Sequence, residues 1–103
     1  MAEKAGRGHL YRYKQNLPQQ LRALYYVART GSFTQAAEIL GLEQPTVSLQ
    51  IAALEREFNA KLVERARGGV SLTPEGQTLL KLATPIVECL ESVRHEFDEQ
   101  LGR

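Results

Sequence analysis

The chain has 103 residues, 43% of them hydrophobic and 24% charged, with a formal net charge of +1 at neutral pH. That length suits one domain with its own core. A single cysteine, Cys89, excludes an internal disulfide, and the longest apolar run, Ala23–Ala28, is too short for a signal-peptide core or a membrane span, so a cytoplasmic protein without membrane contact is expected. Charge is unevenly spread: residues 1–16 carry +3, residues 17–73 carry +1 and residues 74–103 carry −3. An anionic partner such as nucleic acid would therefore meet the first two thirds of the chain.

In chain order, Met1–Asn16 holds four cations and little periodicity, which predicts a flexible basic tail over residues 1–16. Pro18 suits the first turn of a helix, and Leu21, Leu24, Tyr25 and Ala28 recur at helical spacing as far as Thr30. Gly31 ends that helix, and Ser32 can cap the next, near Phe33–Leu40. After Gly41-Leu42 a third helix is expected over about Gln44–Phe58, with Val47, Ile51, Leu54 and Phe58 on its buried face. Ala37 leaves room for two helices to cross. Gly41 can take the left-handed conformation that reverses the chain, and Val47 points back inward to meet Ala36, Leu40, Leu42, Ile51 and Leu54. Small residue, turn glycine and branched apolar residue at this spacing describe a helix-turn-helix over residues 33–52, whose second helix enters a DNA major groove.

Two short strands around Arg67-Gly68-Gly69 then predict a hairpin wing over residues 62–72, with Arg65 and Arg67 as its cations. Thr73-Pro74-Glu75 opens the last helix with a hydroxyl cap, a first-turn proline and a carboxylate at the positive end of the dipole. Along it Leu79, Ala83, Ile86, Leu90, Val93 and Phe97 form a heptad seam flanked by charged positions, which predicts pairing with a second copy. Pro85 removes one backbone donor and predicts a kink near Lys81–Thr84. The expected fold is mainly α: a winged helix-turn-helix of three helices and a short hairpin over residues 17–73, then a dimerisation helix over residues 74–103.

Four stretches carry a resemblance to the N-terminal DNA-binding domain of the LysR-type transcriptional regulators: LRALYYVARTGSFTQAAEIL, the Gln-Pro opening of helix three with Ser48 after it, LVERARGGVSLT, and TPEG. The similarity covers about Leu17–Val93. It implies linker helices paired antiparallel across a homodimer, and a small-molecule effector sensed by a C-terminal domain that this sequence does not include. Family members commonly place serine before the Gln-Pro pair, arginine after the serine and a basic pair after the isoleucine; here stand Glu43, Leu49 and Ala52-Ala53.

The side chains suggest an A·T-leaning reading head. Gln44 and Gln50 can pair with adenine, Thr46 and Leu49 can pack on thymine methyls, and Ser48 can donate to a base edge or a phosphate. Pro45 lies within the same first turn. At the start of helix two, Ser32, Thr34 and Gln35 can meet phosphate, as can Arg65 and Arg67 on the wing. Helix three, counted from Glu43 to Phe58, nevertheless carries a net −2. That keeps a second reading open, a winged-helix dimerisation or protein-interaction module with little DNA affinity. No carboxylate pair, activated nucleophile, phosphate-binding glycine loop or metal-spaced cluster points to an enzyme, a metal or a cofactor.

Overall fold

The computed structural model describes the backbone from Ala2 to Arg103 and side chains from Asn16 onward. The tail expected over residues 1–16, with its RGHLYRYK segment, thus lies almost wholly outside the described side chains. Four helices and one hairpin follow in the order α1 (Ala2–Thr30), α2 (Phe33–Leu40), α3 (Gln44–Phe58), β1 (Val63–Ala66), β2 (Gly69–Leu72) and α4 (Pro74–Gln100). Pro18 falls inside α1 rather than opening it.

The joints follow from local chemistry. Gly31 leaves α1 at φ +68°, its amide donating to the Val27 carbonyl at 2.8 Å. Ser32 caps α2 by accepting from the Gln35 amide at 3.1 Å, and Thr30 Oγ1 accepts from the Ser32 amide in turn. At the far end Gly41 sits at φ +70°, and Leu42 donates to the Ala37 carbonyl at 2.9 Å. This is the glycine-terminated reversal that the sequence spacing requires. Asn59 ends α3 in the same left-handed region.

Leu24, Val27, Val47, Leu54, Leu62 and Val87 are the largest fully buried side chains, and Ala36 and Ala37 fill the α2–α3 crossing. α1 runs through the centre, packing on α2, α3 and α4. Leu42 and Phe58 are not core residues as the spacing suggested: each remains 40% exposed, Leu42 because it lies beyond the αL turn and Phe58 because it closes the last turn of α3.

The hairpin pairs Val63 with Leu72 and Ala66 with Gly69 about a turn at Arg67-Gly68. Leu62 stands just outside the strand and is buried, its amide bound at 2.9 Å by the Glu55 carboxylate of α3. Val70 donates to the Gly31 carbonyl at 3.0 Å, tying β2 to the α1–α2 joint. Buried Thr73 caps α4 by accepting from the Gly76 amide at 2.9 Å while its hydroxyl donates to the Lys61 carbonyl.

α4 continues as one helix across Pro85. Its anchored face is Leu79, Leu80, Ala83 and Val87, packed on the core of its own domain. This revises the expected seam. Ala83 is 1% exposed and Leu79 half-buried, whereas Ile86, Leu90, Val93 and Phe97 stay open to solvent. The reason is a single helix with two jobs, its first half closing the core and its second half leaving it.

Beyond Val87 the same face turns polar. Glu91 accepts from Arg22 Nε at 2.7 Å on one oxygen and from the Tyr26 hydroxyl at 2.8 Å on the other. The Arg22 hydrogen bond, followed by that of Tyr26, holds the Glu91 carboxyl below the usual carboxylate range. Accepting that bond, Glu91 in turn pushes the Tyr26 phenol up.

Candidate nucleic-acid interface

The opening turns of α3 lie between the wing and the middle of α1, around Asn16–Gln20. On the wing side a small polar network forms. Gln44 Nε2 donates to Ser48 Oγ at 3.0 Å, and Arg65 Nη2 donates to the same oxygen at 3.2 Å. Arg65 also lies over the Phe33 ring, 4.2 Å from its centroid. Both bonds use Ser48 Oγ as the acceptor, so the hydroxyl keeps a proton to donate.

The two wing arginines therefore differ. Arg65 is held against α2 and α3, while Arg67 projects from the turn and is exposed. On the other side, Thr46, Leu49, Gln50 and Ala53 share a groove with Asn16, Gln19 and Gln20 of α1. Leu49 is 70% exposed, a large apolar side chain offered to the outside. Gln50 is turned differently from the sequence expectation, with its amide oxygen buried in the domain. Pro45, Thr34 and Gln35 are exposed, and Ser32, Gln44, Thr46 and Ser48 are half-buried.

The hydroxyl of Ser32 is spent on its cap, so of the α2 opening it is Thr34 and Gln35 that remain outward. The structure thus gathers Gln44, Ser48 and Arg65 into one bonded group, with Thr46 and Leu49 beside it. Arg67 stands apart on the wing tip.

The charge of α3 also changes meaning. Glu55 faces the hairpin, where its carboxylate binds the Leu62 and Val63 amides at 2.9 and 3.3 Å. It is a structural acceptor rather than an acid on the outward face. Glu43 caps the helix by position only, with no side-chain bond to the first turn. Sequence reasoning missed Asn16 and Gln19 as groove walls and the Arg22–Tyr26–Glu91 cluster. The signal for the cluster was available: Arg22 and Tyr26 are one helical turn apart, and Glu91 continues the Ala83–Val87 stripe by one more turn.

No helix of the described residues is long and apolar enough to cross a membrane. No group of three or more metal-ligating side chains occurs among them.

Residues 18–77 match the family of bacterial regulatory helix-turn-helix proteins of lysR type. An uncharacterised HTH-type transcriptional regulator of Azotobacter vinelandii, from the ibpB-leuC intergenic region, is 43% identical over 82 residues, covering 80% of this chain and 57% of its own. A probable RuBisCO transcriptional regulator of Phaeodactylum tricornutum is 42% identical over 85 residues, covering 82% of this chain and 28% of its own. The chain therefore spans from about a quarter to little more than half the length of these relatives. Among solved structures, the BenM DNA-binding domain in complex with catB site 1 DNA superposes with a TM-score of 0.70 at 30% identity, covering 84% of this chain and 97% of that one.

Proposed function

The chain belongs to the lysR family of bacterial regulatory helix-turn-helix proteins, and on that basis we propose that it binds double-stranded DNA sequence-specifically as a homodimer and regulates transcription. The observation that carries this reading is the outward face of α3. Gln44, Ser48 and Arg65 form one hydrogen-bonded group beside exposed Leu49, on the helix that follows the glycine turn. Its likeness to a BenM domain whose structure was solved on DNA supports the same use of that helix.

In this reading α3 lies in the major groove. Gln44 meets an adenine edge, Thr46 and Leu49 meet thymine methyls, and Ser48 donates its free proton. Thr34 and Gln35 contact phosphate from the start of α2, with Ser32 chiefly structural, and Pro45 packs beside the backbone. Arg67 takes the wing-side phosphates, while Arg65 orients Ser48. Gln50 is half-buried on the groove beside α1, with its amide oxygen turned inward.

The exposed row Ile86, Leu90, Val93 and Phe97, with Leu82 and Leu101, forms the dimer contact through α4. The relatives are transcriptional regulators by name, in keeping with a binding rather than a catalytic role. The interaction-module reading loses its main support, because Glu55 is committed to the hairpin amides.

The test is selection of bound duplexes from a random DNA pool, followed by titration of the selected site against salt. A dyad-symmetric, A·T-leaning motif whose affinity falls as salt rises is the expected result. A folded dimer that enriches no sequence would overturn the reading in favour of a dimerisation module.

A further inference from the structure

Among the described side chains, Glu91 is the last residue of α4 that hydrogen-bonds another element of its domain. The apolar attachment ends at Val87, and the Arg22–Tyr26 fork grips the helix one turn later. After it no residue of α4 is buried. Among the described residues, the other ion pairs, Arg94–Asp98, His95–Glu99 and Arg103–Asp98, stay within the C-terminal segment itself.

The fork has a specific geometry. Arg22 and Tyr26 stand one turn apart on α1, and each takes a different oxygen of the carboxylate. Two donors on two oxygens fix the direction of the carboxylate as well as its position. Arg22 Nη2, at 3.5 Å from the Tyr26-bound oxygen, closes the arrangement. Behind it, the rings of Tyr25 and Tyr26 meet edge to face at 5.0 Å, and Arg29 donates to the Tyr25 hydroxyl at 3.2 Å. The gripping side chains are therefore themselves supported.

The domain holds α4 from its Thr73 cap through Leu79, Leu80, Ala83 and Val87. The clasp at Glu91 extends that hold about 6 Å further along the axis, to the edge of the exposed apolar row. Leu90 and Val93, on the neighbouring face, are members of the exposed apolar row through which a second copy would pack. The angle fixed at Glu91 is thus passed directly to the dimer contact.

We infer that the Arg22–Tyr26–Glu91 clasp sets the angle between the DNA-binding domain and the linker helix, and so determines the spacing of half-sites the dimer accepts. Glu91 is a positioning residue; it touches no DNA. This rests on the dimeric DNA-binding reading above, and its test separates the two.

The first measurement needs no DNA. With Cys89→Ser and a spin label at Glu38→Cys, on the exposed face of α2, pulsed dipolar spectroscopy reads the distance between domains across the dimer. The clasped protein should give one narrow distribution, and Glu91→Ala a broadened or displaced one. The second measurement titrates duplexes carrying two half-sites at the selected spacing and at spacings one and two base pairs longer or shorter. Discrimination between spacings, expected at roughly tenfold, should fall to about threefold or less in Glu91→Ala, a change of about 0.7 kcal/mol or more. Affinity for an isolated half-site should stay within about twofold.

Tyr26→Phe removes one donor only and should give an intermediate effect, which covers the case of a poorly folded Glu91→Ala. Superimposable distance distributions and spacing profiles in folded variants would overturn the inference while leaving the function intact. Absence of any intermolecular distance would remove the dimer, and the inference with it.

Discussion

A methyl group at Gly76 would overlap the carbonyl oxygen of Leu62, because the first turn of α4 passes directly over the chain entering β1. That crossing is tight because Thr73 binds both sides of it, accepting from Gly76 and donating to Lys61. Gly76→Ala should therefore cost about 3 kcal/mol in urea unfolding, the upper range for overpacking against a backbone that cannot yield. Alanine favours helices, so propensity alone predicts a gain, and an unchanged midpoint would show that the crossing relaxes freely. At the outward face, Gln44 sits on Ser48 rather than free in solvent. Gln44→Ala should then lose about 1–3 kcal/mol at its contacted base pair, with little change on random duplex. Equal losses on both, measured by competition titration, would make Gln44 a general positioning residue.

At the scale of elements, α4 divides at Val87 into an anchored half and a free half. Leu90→Glu places a charge in the free apolar row without entering the core, so sedimentation should show monomers with unchanged helical signal. A persistent dimer mass would exclude that row as the contact. Most elements were legible in the sequence, each for a local reason: Gly31 and Gly41 at the joints, Ser32 and Thr73 as caps, alternating residues about Arg67-Gly68. What escaped was decided between elements. Heptad spacing assigned Leu79 and Ala83 to a partner copy, but periodicity says which residues share a face and not what covers it. The same limit hid Glu55, whose charge was plain but whose partners are the amides of Leu62 and Val63. For the interface, residue types at the start of α3 were readable, while the pinning of Arg65 on Phe33 and the inward turn of Gln50 depend on tertiary packing.

Across the whole molecule, one charged cluster joins the ends of the described fold, with α1 on one side and α4 on the other. Its pH dependence has a definite sign. The folded Glu91 carboxyl titrates below its unfolded value, so its contribution is present above the ordinary carboxylate pKa and lost as acid passes the folded one. The Tyr26 phenol is raised, so its contribution holds below the ordinary phenol pKa and disappears as alkali passes the folded value. Thermal unfolding should thus show a shallow plateau between these limits, and Glu91→Gln should flatten its acid edge; an acid edge identical in both proteins would assign it to other carboxylates.

The bond from the Val70 amide to the Gly31 carbonyl bears on the order in which the chain folds. A short hairpin in water is marginal by itself, and half of this one is registered against a corner that exists only after α1 and α2 have met. The three helices can collapse through contacts close in sequence, which are quick to form. The wing must wait for them, and it is the piece that should detach first when the fold loosens.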